Sequence, residues 1–178
     1  MISASYLLIA IGFLGAYDVW RYHTVEHALH SLPSARWELV SHALRGPTYA
    51  VLFLAVPNLQ LRGAWFGALL GLLAIDLAIS AFDFSVEKAS RAPVGGLPTG
   101  EYLLHSAIAI LFGALCAVVW IEGRAWLDEP TSLTIGSDLA WPARALLAIM
   151  SVGVFLSGAL DALAVLRLGR GEIAAREG

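Results

Sequence analysis

The chain has 178 residues, of which 58% are hydrophobic and 14% are charged, and its formal net charge is −3. A soluble domain usually carries about 25% charged residues, so this composition indicates a chain surrounded largely by lipid. The small net charge, without a basic patch, excludes nucleic acid as a partner. A single cysteine, Cys116, excludes a disulfide framework and a thiolate metal site.

Five apolar segments predict membrane-spanning helices within a single transmembrane domain, residues 1–178. A bilayer core of about 30 Å requires roughly 20 helical residues, and each segment reaches that length. The segments are residues 2–30, 35–56, 64–91, 99–126 and 142–168. The first lacks the basic start and the cleavage site of a signal peptide, so we interpret it as a retained span.

Short turns join the first four predicted helices. Pro33 and Pro57 mark the first two turns, and residues 92–98, rich in Gly and Pro, form the third. Such short connections imply antiparallel neighbours. The predicted fold class is therefore all-α, a polytopic membrane protein with an antiparallel four-helix transmembrane bundle plus a fifth transmembrane helix. The pair Gly67 and Gly71 predicts a close contact between helices.

Basic residues set the predicted orientation, because cytoplasmic loops of membrane proteins are enriched in Lys and Arg. One side of the membrane gathers, in two turns and the C-terminal tail, Arg36, Lys88, Arg91, Arg167, Arg170 and Arg176. The other side holds Arg62 and Arg124, beside an acidic linker. We therefore expect an integral membrane protein with its N-terminus outside and its C-terminus in the cytoplasm, in the inner or plasma membrane if the source is bacterial.

Each of the first four predicted helices carries a pair of potential metal ligands four residues apart. Residues with this spacing lie on the same face of a helix. The pairs are His23 and His27, Glu38 and His42, Asp83 and Glu87, and Glu101 and His105. At about 1.5 Å of rise per residue, every pair lies at a similar depth inside the cytoplasmic end of its helix. The sequence therefore predicts a metal site built from two layers of four side chains.

The cost of buried charge supports this prediction. One charged residue at the centre of a transmembrane helix costs about 2.5 to 3.5 kcal/mol on insertion scales, and several carboxylates would also repel one another. A divalent cation would remove that repulsion. Mixed imidazole and carboxylate ligands suit iron, manganese or zinc, and we expect two ions, with iron favoured. A polar network without metal is the alternative interpretation.

Further polar residues near the predicted site receive supporting roles. Glu26 and His30 lie at its mouth, where they would relay protons. Arg45, one turn deeper, would neutralise a nearby aspartate or bind the anionic part of a substrate. These three residues are the candidate catalytic groups. Asp18 and Asp76 are predicted to orient the histidines by hydrogen bonding. Asp161, at a comparable depth on the fifth helix, is predicted either to do the same or to form a salt bridge that packs this helix.

The arrangement is similar to that of the carboxylate-bridged di-metal four-helix bundles, in which Glu and His residues from all four helices point inward. Those proteins use Glu-x-x-His, whereas Glu38 and Glu101 here precede a histidine by four residues. The run His23-Thr-Val-Glu-His27-Ala-Leu-His30 resembles the first histidine box of membrane desaturases and hydroxylases. Those enzymes carry more histidines than the five of this chain, so neither family is assigned.

The leading hypothesis is a membrane-embedded metalloenzyme, an oxygen-activating oxidoreductase of the hydroxylase or desaturase kind, acting on a lipid or another hydrophobic substrate. A zinc-dependent membrane hydrolase is the closest alternative. A metal or proton carrier, a haem protein and a structural subunit of a membrane complex also stay open. The apolar outer halves of the helices, as in residues 7–13 and 108–119, disfavour a carrier. A redox partner or a homo-oligomer is compatible with all of these.

Overall fold

Five long helices make up most of the chain in the computed structural model, which describes residues 1–177, with side chains described through residue 171. The helices are α1 (Ile2–Asp18), continued by a π-helical segment (Val19–Glu26), α2 (Arg36–Asn58), α3 (Ala64–Arg91), α4 (Thr99–Gly123) and α5 (Trp141–Glu177). The predicted helical class is thereby confirmed. The side chain of Arg176, used above for the orientation, lies outside the described side chains.

Five helical stretches of 25 to 31 residues are long and apolar enough to cross a membrane. Their outward surface is apolar as well, since large side chains such as Ile110 and Ile149 are 73% and 70% exposed. Contiguous apolar surface of this kind is rare on monomeric soluble proteins. The fold is consistent with an integral membrane protein.

The first helix ends earlier than the sequence indicates. Helical geometry stops at Glu26, whereas the sequence predicts a helix to His30. Ala28 then adopts a left-handed conformation with φ of 46°, and Leu29–Ser31 form one 3₁₀ turn. Because the chain reverses direction here, His30 does not continue the helical face on which the sequence analysis placed it.

The last two turns of the first helix are wound as a π-helix, Val19–Glu26. Hydrogen bonds in a π-helix join residues five apart, as in the bond from the His27 N–H to the Tyr22 carbonyl. Residues five apart therefore come onto one face. This winding brings Asp18 and His23 together, a pairing that a regular α-helix would not produce.

The backbone of α2 has the central place in the packing, since it contacts α1, α3 and, most extensively, α5. A Cβ atom added to Gly46 would lie 2.8 Å from the Cα of Gly158, so α2 and α5 touch at glycine backbones. Atoms added to Gly67 and Gly71 would meet nothing within 4 Å. The close contact predicted at those two glycines is therefore wrong.

An apolar core fills the half of the bundle that is remote from the histidines. It includes Leu8, Leu52, Phe66 and Leu115, all fully buried. Beside it, β1 (Leu59–Arg62) pairs antiparallel with β2 (Ser132–Ile135). The sequence analysis did not predict this two-stranded sheet, because strands of four residues are too short to show an alternating pattern.

Candidate metal centre

A buried cluster of histidines and carboxylates lies where α1 and α3 end and where α2 and α4 begin, here called the polar end of the bundle. Its first group consists of Asp18, His23, Glu101 and His105. One ligand atom from each lies within 4.8 Å of the others, and all four residues are buried. The π-helical segment supplies His23, and the N-terminal turns of α4 supply Glu101 and His105.

The closest donor atoms in this group lie at separations that fit either a shared metal ion or hydrogen bonds, and His105 Nε2 and Asp18 Oδ2 form such a bond. Asp18 Oδ2 lies 3.2 Å from His23 Nε2 and 3.0 Å from His105 Nε2. Metal–ligand bonds of about 2.1 Å in tetrahedral or octahedral geometry place neighbouring ligand atoms about 3.0 to 3.4 Å apart. His23 Nε2 is 4.0 Å from Glu101 Oε1, so the carboxylate of Glu101 lies slightly further from His23 than that of Asp18 does.

A second group, His23, Glu38 and His42, adjoins the first and shares His23 with it. The rings of His23 and His42 lie 4.6 Å apart between centroids, and His23 Nε2 is 3.9 Å from Glu38 Oε1. Asp83 contacts this group through His42, with 3.6 Å between Oδ1 and Nε2. Both groups use the same atom, Nε2 of His23, and because this nitrogen has a single lone pair it can bind an ion in only one of the two groups.

Two of the predicted ligands, Glu87 and His27, belong to neither group, but each contacts a member of the first group. Glu87 Oε1 lies 2.6 Å from Nδ1 of His105, whose Nε2 faces Asp18. A carboxylate on the second ring nitrogen is the usual way in which proteins orient a histidine that binds metal. His27 Nε2 lies 3.3 Å from Glu101 Oε2. The fold therefore brings all eight predicted ligands into one cluster.

Arg91 closes the cluster at the polar end. Its side chain is fully buried, although the sequence analysis counted it among the charges of a turn. The guanidinium donates to both oxygens of Glu38, at 2.6 and 2.8 Å. It also donates to both oxygens of Glu101, from Nη2 and from Nε. One cation thus joins a carboxylate of the first group to a carboxylate of the second.

The charges of the cluster do not balance within the described side chains. Six buried carboxylates belong to it or adjoin it: Asp18, Glu38, Asp76, Asp83, Glu87 and Glu101. Two guanidinium groups, Arg91 and Arg45, face them, which leaves four negative charges if the histidines are neutral. Two divalent cations, protonation of the four neighbouring histidines, or protonation of some of the carboxylates would compensate these charges.

The hydrogen bonding of the imidazoles bears on these possibilities. An imidazolium donates from both ring nitrogens and needs an acceptor for each. Within the described residues, the Nε2 atoms of His23, His27 and His42 are buried without a hydrogen-bond partner, as are Nδ1 of His105, Oε1 of Glu87 and Oδ1 of Asp18. A carboxylate oxygen lies 3.2 to 3.6 Å from each of the three Nε2 atoms. Buried lone pairs that face carboxylates fit a cation between them.

The three candidate catalytic residues lie in different surroundings. Glu26 forms an ion pair with Arg21 at 2.6 Å, and His30 bonds to Asp161 of α5 at 2.7 Å. Both stand apart from the two ligand groups. Arg45 lies beside the cluster.

The contacts of Arg45 are those of a counter-ion. Its Nη1 is 3.4 Å from Asp83 Oδ2, and its Nη2 donates to Ser80 at 2.8 Å. Its Nε lies 3.6 Å from Asp76. The guanidinium thus lies among the acidic groups named in the sequence analysis.

Sequence reasoning gave a smaller role to two residues that the fold places at the centre. Asp18 was expected only to orient a histidine, yet its carboxylate contacts both His23 and His105. The spacing of five between Asp18 and His23 was the available signal, but it has meaning only in a π-helix. Arg91 lies at the depth of Glu38 and Glu101, and that shared depth was the signal for its burial.

No known protein family matches the sequence, and no curated protein or solved structure matches it.

Proposed function

We propose that this chain is an integral membrane metalloprotein whose polar end holds divalent metal ions between its first four helices. These helices would form an antiparallel bundle in the membrane, with α5 against α2, the N-terminus outside and the polar end towards the cytoplasm. The observation that carries the proposal is the set of buried, unpartnered imidazole nitrogens beside uncompensated carboxylates. Burial of such groups without compensation would cost several kcal/mol.

Under this proposal, the two ions would have different ligands. Asp18, Glu101 and His105 would hold the first, Glu38 and His42 would hold the second, and His23 would bind one of the two through Nε2. This nitrogen and oxygen donor set fits iron best among the candidates, with zinc or manganese as the alternatives. Hard oxygen sites for calcium and thiolate sites for copper(I) use other donors.

The reaction class that we propose is oxygen-dependent oxidation of a lipid or another hydrophobic substrate. A bound iron centre would supply the redox chemistry. The residues of the chain would bind and orient the ions and exclude water. Glu87 would hold the Nδ1 proton of His105, and Arg91 would fix the carboxylates of Glu38 and Glu101. With zinc, the same residues would support hydrolysis instead, so the identity of the metal decides between the two classes.

A resident centre explains the cluster better than a transport route. The apolar core, with Leu8, Leu52 and Leu115 fully buried, occupies the other half of the bundle. An ion or a proton crossing the membrane would need polar groups through that half. The cluster is therefore proposed to retain its ions.

The test is metal analysis of the protein purified in detergent, by mass spectrometry of the metal content per chain. We expect stoichiometric iron in the unaltered protein and its loss in Asp18→Asn and His23→Ala. His30→Ala is the matched control, because His30 bonds to Asp161 outside the ligand groups, and it should retain the metal. Unaltered protein without stoichiometric metal would refute the proposal, and a Soret absorption band would indicate haem instead.

A further inference from the structure

The helices α3 and α4 stand apart, although a short turn joins them. Within the described chain, the backbone of α4 packs against α1 and that of α3 against α2, with hardly any close approach between α3 and α4 themselves. The other neighbouring pairs of the first four helices are in closer contact. The line along which α3 and α4 face each other is here called the cleft.

Side chains alone cross this cleft at the level of the candidate metal centre. The ring of Phe84 lies 6.2 Å from that of His105 between centroids, with 31° between the planes. Nearer the polar end, Arg91 joins Glu101. Phe84 is 46% exposed, whereas His105 is 8% exposed. Phe84 therefore forms an apolar cover over an imidazole that the centre would use.

His105 is also the least buried member of the first ligand group. Asp18, His23 and Glu101 are 5%, 4% and 0% exposed, against 8% for His105. His105 is therefore the member of this group that contacts Phe84 and, through Phe84, the exposed face of α3.

The cleft continues on α3 as an exposed stripe that ends in a positive charge. Leu77, Ala81, Phe84 and Lys88 are three or four residues apart, so they share one helix face, and all four are exposed. Lys88 lies in the last turn of α3 and forms no ion pair within the described residues. An apolar stripe that leads to an unpaired ammonium group at the polar end is complementary to a long acyl chain with an anionic headgroup.

We propose that this stripe and the cleft beside it bind one acyl chain of an anionic phospholipid. The phosphate would lie at Lys88, and the chain would run along Phe84 and Leu77, past the edge of His105. The site deepens the proposed function by naming its substrate class and its route of entry, and in that respect it rests on that function. Lipid binding itself does not require the metal.

The experiment uses the full-length protein in vesicles of phosphatidylcholine that contain a few per cent of a photoreactive lipid. The probe is phosphatidylglycerol with a diazirine on one acyl chain, and the comparison probe is phosphatidylcholine with the same chain. Cross-linked residues are identified by peptide mass spectrometry. We expect cross-links concentrated on α3 and α4 around Phe84 and His105, with roughly fivefold more from the anionic probe, the ratio that about 1 kcal/mol from one lysine at a membrane surface would give.

Three variants test the residues that carry the inference. Lys88→Gln should remove the preference for the anionic probe, and Phe84→Ala should shift cross-links onto the peptide that contains His105. Phe155→Ala is the matched control, because Phe155 is a 52% exposed phenylalanine on α5, and it should leave the pattern unchanged. Cross-links spread evenly over the exposed residues of all five helices, or a pattern unaffected by Lys88→Gln and Phe84→Ala, would overturn the inference.

Metal content is measured on the same samples, so the two proposals fail separately. Cross-links confined to the cleft in a protein without metal would refute the proposed function and leave the lipid site standing. Stoichiometric metal with evenly spread cross-links would refute the lipid site and leave the proposed function standing.

Discussion

The guanidinium of Arg91 and the carboxylate of Glu38 form a two-point contact, with N–O distances of 2.6 and 2.8 Å, in which both side chains are almost completely buried. The contact joins the end of α3 to the first turn of α2. Because the same guanidinium also binds Glu101 at the start of α4, one side chain ties three helices together at the polar end.

Replacement of Arg91 by glutamine should destabilise the protein strongly. Arg91→Gln would leave two buried carboxylates without their cation, and the loss of one partner of a buried ion pair typically costs about 3 to 5 kcal/mol. Arg91→Lys keeps the charge but not the two-point geometry, so it should cost less. Unfolding in mixed micelles, followed by tryptophan fluorescence, measures both.

The ion pair of Arg62 and Glu129 provides the control for this prediction. It is partly exposed, and pairs of that kind contribute at most about 1 kcal/mol. Arg62→Gln should therefore have a small effect. An equal loss of stability in Arg62→Gln and Arg91→Gln would contradict the central role of Arg91.

Glu87 should influence metal affinity through His105. Glu87→Gln removes the carboxylate that lies 2.6 Å from the Nδ1 atom of His105, and changes to such outer partners typically weaken metal binding about 10- to 100-fold. Competition against a chelator of known affinity measures the change. Asp128→Asn, in the exposed linker, should leave the affinity unaltered. Unchanged affinity in Glu87→Gln would show that His105 binds no metal.

Removal of the metal should lower the stability of the folded state. A ligand present at about 100 times its dissociation constant stabilises the folded form by about 2.7 kcal/mol. Treatment with a chelator should therefore lower the unfolding temperature of the unaltered protein, and addition of iron(II) under anaerobic conditions should restore it. His23→Ala removes a residue shared by both ligand groups, so its unfolding temperature should respond less to either treatment than that of the unaltered protein.

The contact between α2 and α5 should not tolerate a methyl group at Gly46. A Cβ at this position would lie 2.8 Å from backbone of α5, and overpacking of this kind costs about 1 to 3 kcal/mol. Gly153→Ala is the matched change on α5, where the added atom meets nothing within 4 Å. Because alanine favours the helix by up to about 1 kcal/mol over glycine, Gly153→Ala should be neutral or stabilising. The two unfolding temperatures test the contact directly.

The sequence by itself determined the number of long apolar helices and the depth of the acidic and histidine pairs. Both depend on local composition and on the rise per residue of a helix, which need no knowledge of neighbours. For the same reason, the residues predicted as metal ligands, from His23 to His105, all lie in one cluster at one end of the bundle. Residue spacing along each helix was sufficient for this.

The tertiary structure alone decided which side chains meet within that cluster. Contacts depend on the rotation of each helix about its axis and on its winding, and long-range packing sets both. Thus the π-helical turns brought Asp18 to His23 and His105. The position of α3 buried Arg91 between two glutamates, although the sequence suggested a charge in a turn. The helix does not continue past Glu26, because Ala28 adopts a left-handed conformation and the chain reverses. His30 therefore bonds to Asp161 on α5.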